Sequence, residues 1–223
     1  MARFPRGGIT LDATASELQL VDYRRRVAGM YEVARGTGPA EPRWRRFRTL
    51  RDQLFAHHPC SPLDPSRRAS MPGVPYFPYA PAARLLAEAE DAPGEPFAIE
   101  LRDDGALRLA RLAHLSFHLA GRRCRLALYR LLDYGGGLFL PFADRTAGAR
   151  TYGGGRYLID TRKHADLGVE DGRMVLDFNY AYHPSCTYSP RWDCPLAPAE
   201  NRLEVAVEAG ECLPADGWNG PRA

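Results

Sequence analysis

Lysine is all but missing from the chain: Lys163 is the single one among 30 basic residues, and arginine supplies the others. Against 27 acidic residues the net charge is +3, too small over 223 residues to make a case for nucleic acid as a partner. Arginine is abundant beside Ala, Gly and Pro, a bias of coding composition, so its number alone does not signal phosphate contacts. Long apolar runs are missing as well. No stretch approaches the ~20 residues of a membrane helix, and the N-terminus lacks the continuous apolar segment of a secretory signal. The expectation is therefore a cytoplasmic protein with no membrane partner. Cysteine is scarce and odd in number, and the irregular spacing of Cys60, Cys124, Cys186, Cys194 and Cys212 is not that of a disulfide framework. In a reducing compartment these thiols are expected mostly reduced.

What is present changes its period part-way along. Thr14 or Ser16 offers a cap to a run carrying Leu18, Leu20, Val21, Val27 and Met30, and Gly36 closes it. Trp44, Phe47, Leu50, Leu54 and Phe55 then recur at helical spacing before Pro59. These are two helices within residues 15–58. Residues 59–95 are too rich in proline for either regular structure. They predict a surface wrap with Tyr76, Phe77 and Tyr79 turned inward, and a short helical turn around 82–90. From residue 96 the apolar positions alternate, in "FAIELRD", "ALRLARLAHLSFHLAG", "CRLALYRLL", "GLFLPFAD", "GRYLIDT", "RMVLDFN" and "LEVAVEAG", with glycine-containing turns between them. Short connections without crossover helices imply antiparallel pairing. The fold class is α+β, mainly β: an antiparallel β-barrel or two-sheet sandwich of about seven strands, with the two helices packed against it. One domain spans 15–211, between an N-terminal arm at 1–14 and a tail at 212–223.

The chemistry-bearing residues gather in "DFNYAYHPSCTYSPRWDCPLAPAENRL", residues 177–203. His183, Cys186 and Cys194, completed by a carboxylate such as Asp177 or Glu200, have the donor types of a zinc site, although the spacing matches no familiar finger. The same cysteines also admit a thiolate nucleophile with His183 or Glu200 as its base, or buried thiols or a disulfide clamping the loop. Glu200, stiffened in place by Pro195 and Pro198, suits a general acid or base if buried, or else it pairs with Arg156 or Arg202. Asn201 either orients a substrate oxyanion or caps the loop. Strand alternation places Asp177 with Asn179, and Arg156 with Leu158 and Asp160, on shared faces. "TYGGGRYL" lacks the lysine and Ser/Thr of a phosphate loop, so its glycines are read as a tight turn or bulge.

Several blocks together carry a family likeness: "HHPCSPL", "PYFPYAP", "LFLPFADRTAG", "TYGGGRYLID", "VLDFNYAYHPSC", "CPLAPAENRL" and "VEAGE". In this order they resemble the bacterial and archaeal proteins grouped as domain of unknown function 1684, over about residues 15–211. The resemblance implies a domain type and its limits, and no reaction.

The leading expectation is a polar small-molecule pocket, with an acid–base enzyme as its catalytic form. Tyr152, Arg156, Asp160, Asn179 and Asn201 would bind a small polar or anionic ligand, Glu200 and Asp177 would move protons, and no cofactor would be needed. The alternative is a non-catalytic ligand- or metal-binding domain in which His183, Cys186 and Cys194 hold zinc. A homo-oligomer is compatible with either.

Overall fold

The computed structural model of the chain describes residues 11–68, 70–101 and 105–214. Helix α1 (Leu11–Arg35) packs on α2 (Ala40–His57), and a short turn α3 (Pro65–Arg68) follows. The strands are β1 (Arg84–Asp91), β2 (Phe97–Leu101), β3 (Gly105–Leu119), β4 (Arg122–Leu131), β5 (Leu138–Phe142), β6 (Arg156–Asp160), β7 (Val169–Glu170) and β8 (Arg173–Asp177). They form one antiparallel sheet of eight strands in the order β6-β5-β4-β3-β1-β8-β7. β2 lies off that path against the first half of β3, while β1 takes the second half. Ten residues of β3 pair across to β4, which makes this long hairpin the frame of the sheet. The sheet curls into a half-barrel whose ends, β6 and β7, remain unjoined. The α+β, mainly β architecture is as expected, two N-terminal helices packed with an antiparallel barrel-like sheet, here of eight strands and open at one seam.

Both faces of the sheet are covered, and the alternation in β4 shows how. Ala127, Tyr129 and Leu131 face a core built with Met30, Tyr31, Trp44 and Phe47 of the helices. Leu126 and Leu128 face the opposite core, closed by Leu203, Val205, Val207 and Ala209 of the C-terminal segment. On α1 the buried residues are Val27, Met30, Tyr31 and Ala34, a single stripe at helical spacing. Leu18 and Val21, grouped with that stripe in the sequence, are 64% and 40% exposed. α1 also starts at Leu11, inside the segment read as an arm; residues 1–10 and 215–223 of the arm and tail lie outside the described residues.

Two further expectations change. The helical turn expected around 82–90 is only a 3-10 turn at Pro81–Ala83, after which the chain is strand β1, because its Leu85, Leu86 and Ala87 find partners in β8. The "LEVAVEAG" strand is extended and keeps its alternating burial, yet it joins no ladder. Val205 O accepts from the Arg145 amide at 3.1 Å, and the carbonyls of Val207 and Ala209 are taken up by a side chain, as the next section describes.

Candidate functional site

Arg156 is the most deeply committed of the expected site residues. It opens β6 and is 1% exposed, with its guanidinium donating to the carbonyls of Ala209 (2.5 Å), Glu211 (3.0 Å) and Val207 (2.9 Å) and to Asp144 Oδ2 (2.9 Å). The chain bends at Gly210 (φ +78°), and the planar fork gathers carbonyls from both sides of the bend. Asp144 Oδ1 accepts from the Val207 amide at 3.1 Å. The ion pair thus does for residues 207–211 what a neighbouring strand would have done. Asn201 is similarly saturated: its amide bridges Ala127 N (2.7 Å), Ala127 O (2.9 Å) and Pro141 O (2.7 Å). Both side chains hold backbone rather than facing an open pocket.

The face shared by Arg156 and Asp160 is lost at a bulge. Between Leu140 and Pro141 the β5–β6 register slips, and Leu158 and Ile159 both enter the core beneath the C-terminal segment. One extra residue reverses the phase of the pleat. Asp160 consequently emerges on the helix side, 3.0 Å from Lys163 Nζ and 3.4 Å from the Tyr182 hydroxyl. Asp177 and Asn179 stay in contact, but as a cap rather than as neighbours on a strand face: β8 ends at Asp177, Phe178–Tyr180 is a 3-10 turn, and Asp177 Oδ1 accepts from the Asn179 amide at 3.0 Å. Asn179 is spent on Ala80 N (2.9 Å), Ala80 O (2.8 Å) and Asp177 Oδ1 (2.8 Å).

Asp177 itself lines a cleft of about 290 Å³ between the α1–α2 junction and the β7–β8 edge. Arg35, Arg43, Arg84, Glu170 and Tyr180 share its walls. Burial holds the Asp177 carboxyl above the ordinary range, against the opposing pull of Asn179, Arg84 and Arg43. Burial first and then the Asp177 charge raise Tyr180. Arg84 meets Glu170 at 2.5 Å, and Arg43 donates to Ala34 O and, at 3.2 Å, to Gly38 O. A larger cleft of about 460 Å³ runs between α1 and α2. Its His58 engages both ring nitrogens, Nδ1 with the Cys60 amide (3.0 Å) and Nε2 with Asp22 (3.2 Å).

Glu200 lies outside both clefts. Its carboxylate takes the Tyr129 hydroxyl at 2.5 Å and Arg111 Nη1 at 3.1 Å, so the pairing with arginine is made with Arg111 rather than Arg156 or Arg202. At 39% side-chain exposure, water screens that pair substantially.

His183 parts from the two cysteines. Its Nε2 accepts from the Tyr152 amide at 3.2 Å, which places the ring proton on Nδ1, 3.7 Å from Glu211 Oε2. Burial, then Arg156 and Arg51, hold this imidazole well below its ordinary value and hence neutral. No group of three or more His, Cys, Asp or Glu arranged to hold a metal occurs among the described residues. Glu211, not singled out in the sequence, is the hub beside His183. Fully buried, it pairs with Arg51 and accepts from Tyr188 (2.6 Å), Tyr76 (3.3 Å) and the His183 amide (2.6 Å). The available signal was Arg51 on the apolar stripe of α2, a charge that needs a buried partner.

Cys186 and Cys194 come together, eight residues apart, as half-buried free thiols. The Cys186 amide donates to Cys194 Sγ at 3.3 Å. Tyr152 lies on the far side, its hydroxyl 3.8 Å from Cys186 Sγ.

The family described as "Protein of unknown function (DUF1684)" matches residues 69–212, well over half of the chain. The chain belongs to the DUF1684 family. A solved structure supports the same architecture: the uncharacterised protein from gene locus rrnAC0354 of Haloarcula marismortui, determined by solution NMR, is 38% identical over 77% of this chain and 93% of its own, with a TM-score of 0.55. No curated protein matches the sequence. The family segment begins in the proline-rich wrap and ends just after Glu211, so it contains Asp177 and both loop cysteines and leaves out α1 and α2. No helix among the described residues is long and apolar enough to cross a membrane.

Proposed function

We propose that this DUF1684 chain binds a small polar ligand in the cleft beneath α1 and α2, with Asp177 as the group that holds or moves a proton. The observation that carries the reading is a carboxyl raised by burial on the wall of a polar cleft, a combination that concentrates at ligand and catalytic sites. Arg43 and Arg84 favour an anionic group on the ligand, while Asp177 accepts or donates a hydrogen bond according to its protonation. If the ligand reacts, Asp177 is the acid or base. Arg156, Asn179 and Asn201 then act as scaffold.

The test is a thermal-shift and calorimetric titration with small carboxylates and amino acids as probes, on wild-type protein, Asp177→Asn and Arg84→Gln. The expected result is a saturable stabilisation by at least one probe, weakened by about tenfold or more in both variants, the loss of one charge-assisted contact. An unchanged affinity in Asp177→Asn, or no stabilisation by any probe, removes the reading.

A further inference from the structure

We infer that Cys194 and Cys186 form a thiol–disulfide exchange centre acting on an organic disulfide, with Cys194 as the attacking sulfur and Cys186 as the resolving one. This stands apart from the Asp177 cleft and rests on how the loop 186–194 is built. The Cys194 sulfur lies against the Cys186 backbone amide at 3.3 Å, and both residues are held by an anchored segment. Arg191 donates to Ser61 O (2.7 Å), Trp192 Nε1 to Pro62 O (3.1 Å), and Ser189 Oγ to Asp64 (3.0 Å). Beyond Cys194, the Tyr157 hydroxyl holds Pro195 O at 2.6 Å and the Ala197 amide bonds Gly154 O at 3.0 Å. Such anchoring fixes the sulfurs near one another without a covalent bond, and both keep partial access to solvent. Were the pair only core filling, it would lie in an apolar cluster, as Cys124 does at 8% exposure.

The two sulfurs are not equivalent. Cys194 is lowered first by the Cys186 side chain and then by the amides of Cys186 and Ser185, with Lys163 adding positive charge nearby. These outweigh burial and bring its thiol below the ordinary value. The neighbouring Cys194 sulfur raises the Cys186 thiol, with burial adding to the effect. The remaining polar and charged groups around the pair are Tyr152 and Tyr157, both themselves raised by burial, Asp160, which pairs with Lys163, and Asp193, whose Oδ1 accepts from the Cys194 amide at 3.1 Å. Cys212, by comparison, is pushed up by burial. The single lysine of the chain, marginal in the composition, thus stands at the one dithiol.

The chemistry balances with an organic disulfide R–S–S–R as oxidant. The Cys194 thiolate attacks one sulfur, the S–S bond breaks, and a mixed disulfide forms as RS⁻ leaves. Cys186 then passes its proton to that RS⁻, and its sulfur attacks Cys194. The Cys186–Cys194 bond forms and the second RS⁻ departs. The dithiol is oxidised by two electrons and R–S–S–R is reduced to one thiol and one thiolate. The reverse reaction uses the same steps.

The decisive experiment uses the reduced full-length protein and glutathione disulfide as probe, with every cysteine-containing peptide followed by mass spectrometry and a parallel iodoacetamide pH series. Wild-type protein should alkylate first at Cys194, with a midpoint below the ordinary thiol value of about 8.5, and accumulate the linked 186–194 disulfide. Cys186→Ser should stop at a Cys194–glutathione adduct, and Cys194→Ser should react about tenfold more slowly or worse. Five thiols reacting at equal rates would overturn the proposal. So would a persistent wild-type mixed disulfide, or a zinc ion whose chelation is needed to expose both thiols. The wild-type labelling order needs no variant, so a misfolded substitution cannot decide the outcome.

Discussion

At the scale of single residues, the structure turns polar side chains into backbone partners. Arg156, Asn201 and Asn179 each satisfy several main-chain groups, and each is buried with them. An orphaned buried carbonyl or amide costs about 1–3 kcal/mol, so these contacts secure irregular segments that no ladder reaches. His183 shows the same logic with a titratable group. Its folded form stays neutral because burial and two arginines disfavour the imidazolium, whereas the unfolded chain takes a proton below about pH 6.5. The folded pKa is depressed, so the stability it contributes is full above the unfolded value and lost as pH falls through it. Between about pH 7 and about pH 5.5 urea unfolding should show wild-type protein losing roughly 1 kcal/mol relative to His183→Gln. Equal pH slopes in the two proteins would mean that the ring is protonated within the fold.

At the scale of elements, turns decide where side chains end up. The loop from Tyr152 to Arg156 doubles back under a Gly155 amide bonded to Tyr152 O at 3.0 Å. Gly155 has φ +93°, and a Cβ there would run into the Phe142 carbonyl and meet Ala197 Cβ at 2.9 Å. Glycine is required on both counts. Gly155→Ala should cost roughly 2–3 kcal/mol or more in chemical denaturation, and it should disturb β6 first, where Arg156 begins. A loss below about 0.5 kcal/mol would show that the β5–β6 junction yields easily. The glycine run was legible as a turn or bulge. The β6 bulge that sends Arg156 and Asp160 to opposite faces was not, because "GRYLID" reads as an unbroken alternation and the extra residue is set by register against β5.

At the scale of the whole molecule, Glu211 joins what the chain order keeps apart. Arg51 comes from α2, Tyr76 from the wrap, His183 and Tyr188 from the cysteine loop, and Glu211 from the end of the C-terminal segment. The cluster locks helices, loop and terminus around one buried charge pair. Glu211→Ala leaves the Arg51 charge and three donors without their acceptor, and a buried ion pair broken on one side costs about 3–5 kcal/mol. Thermal and urea unfolding should show that loss, or an insoluble protein. A variant within about 1 kcal/mol of wild type would mean that water enters and solvates Arg51. Arg51→Met with Glu211→Gln should restore part of the loss by removing the charge itself.

Periodicity by itself determined the two helices and most of the strands, and the short connections determined the antiparallel pairing, since these depend on neighbours a few residues away and on a burial pattern that repeats. It also brought out the segment 177–203 as the place where chemistry gathers. Only the tertiary structure decided what that segment does. His183 faces Glu211 rather than the cysteines, Glu200 meets Arg111 from β3, and the extended terminus leans on Arg156 instead of a strand. The physical reason is common to all three. A hydrogen-bonding group accepts whichever partner the fold brings within about 3 Å, and the partners here lie 28, 89 and 51 residues away along the chain.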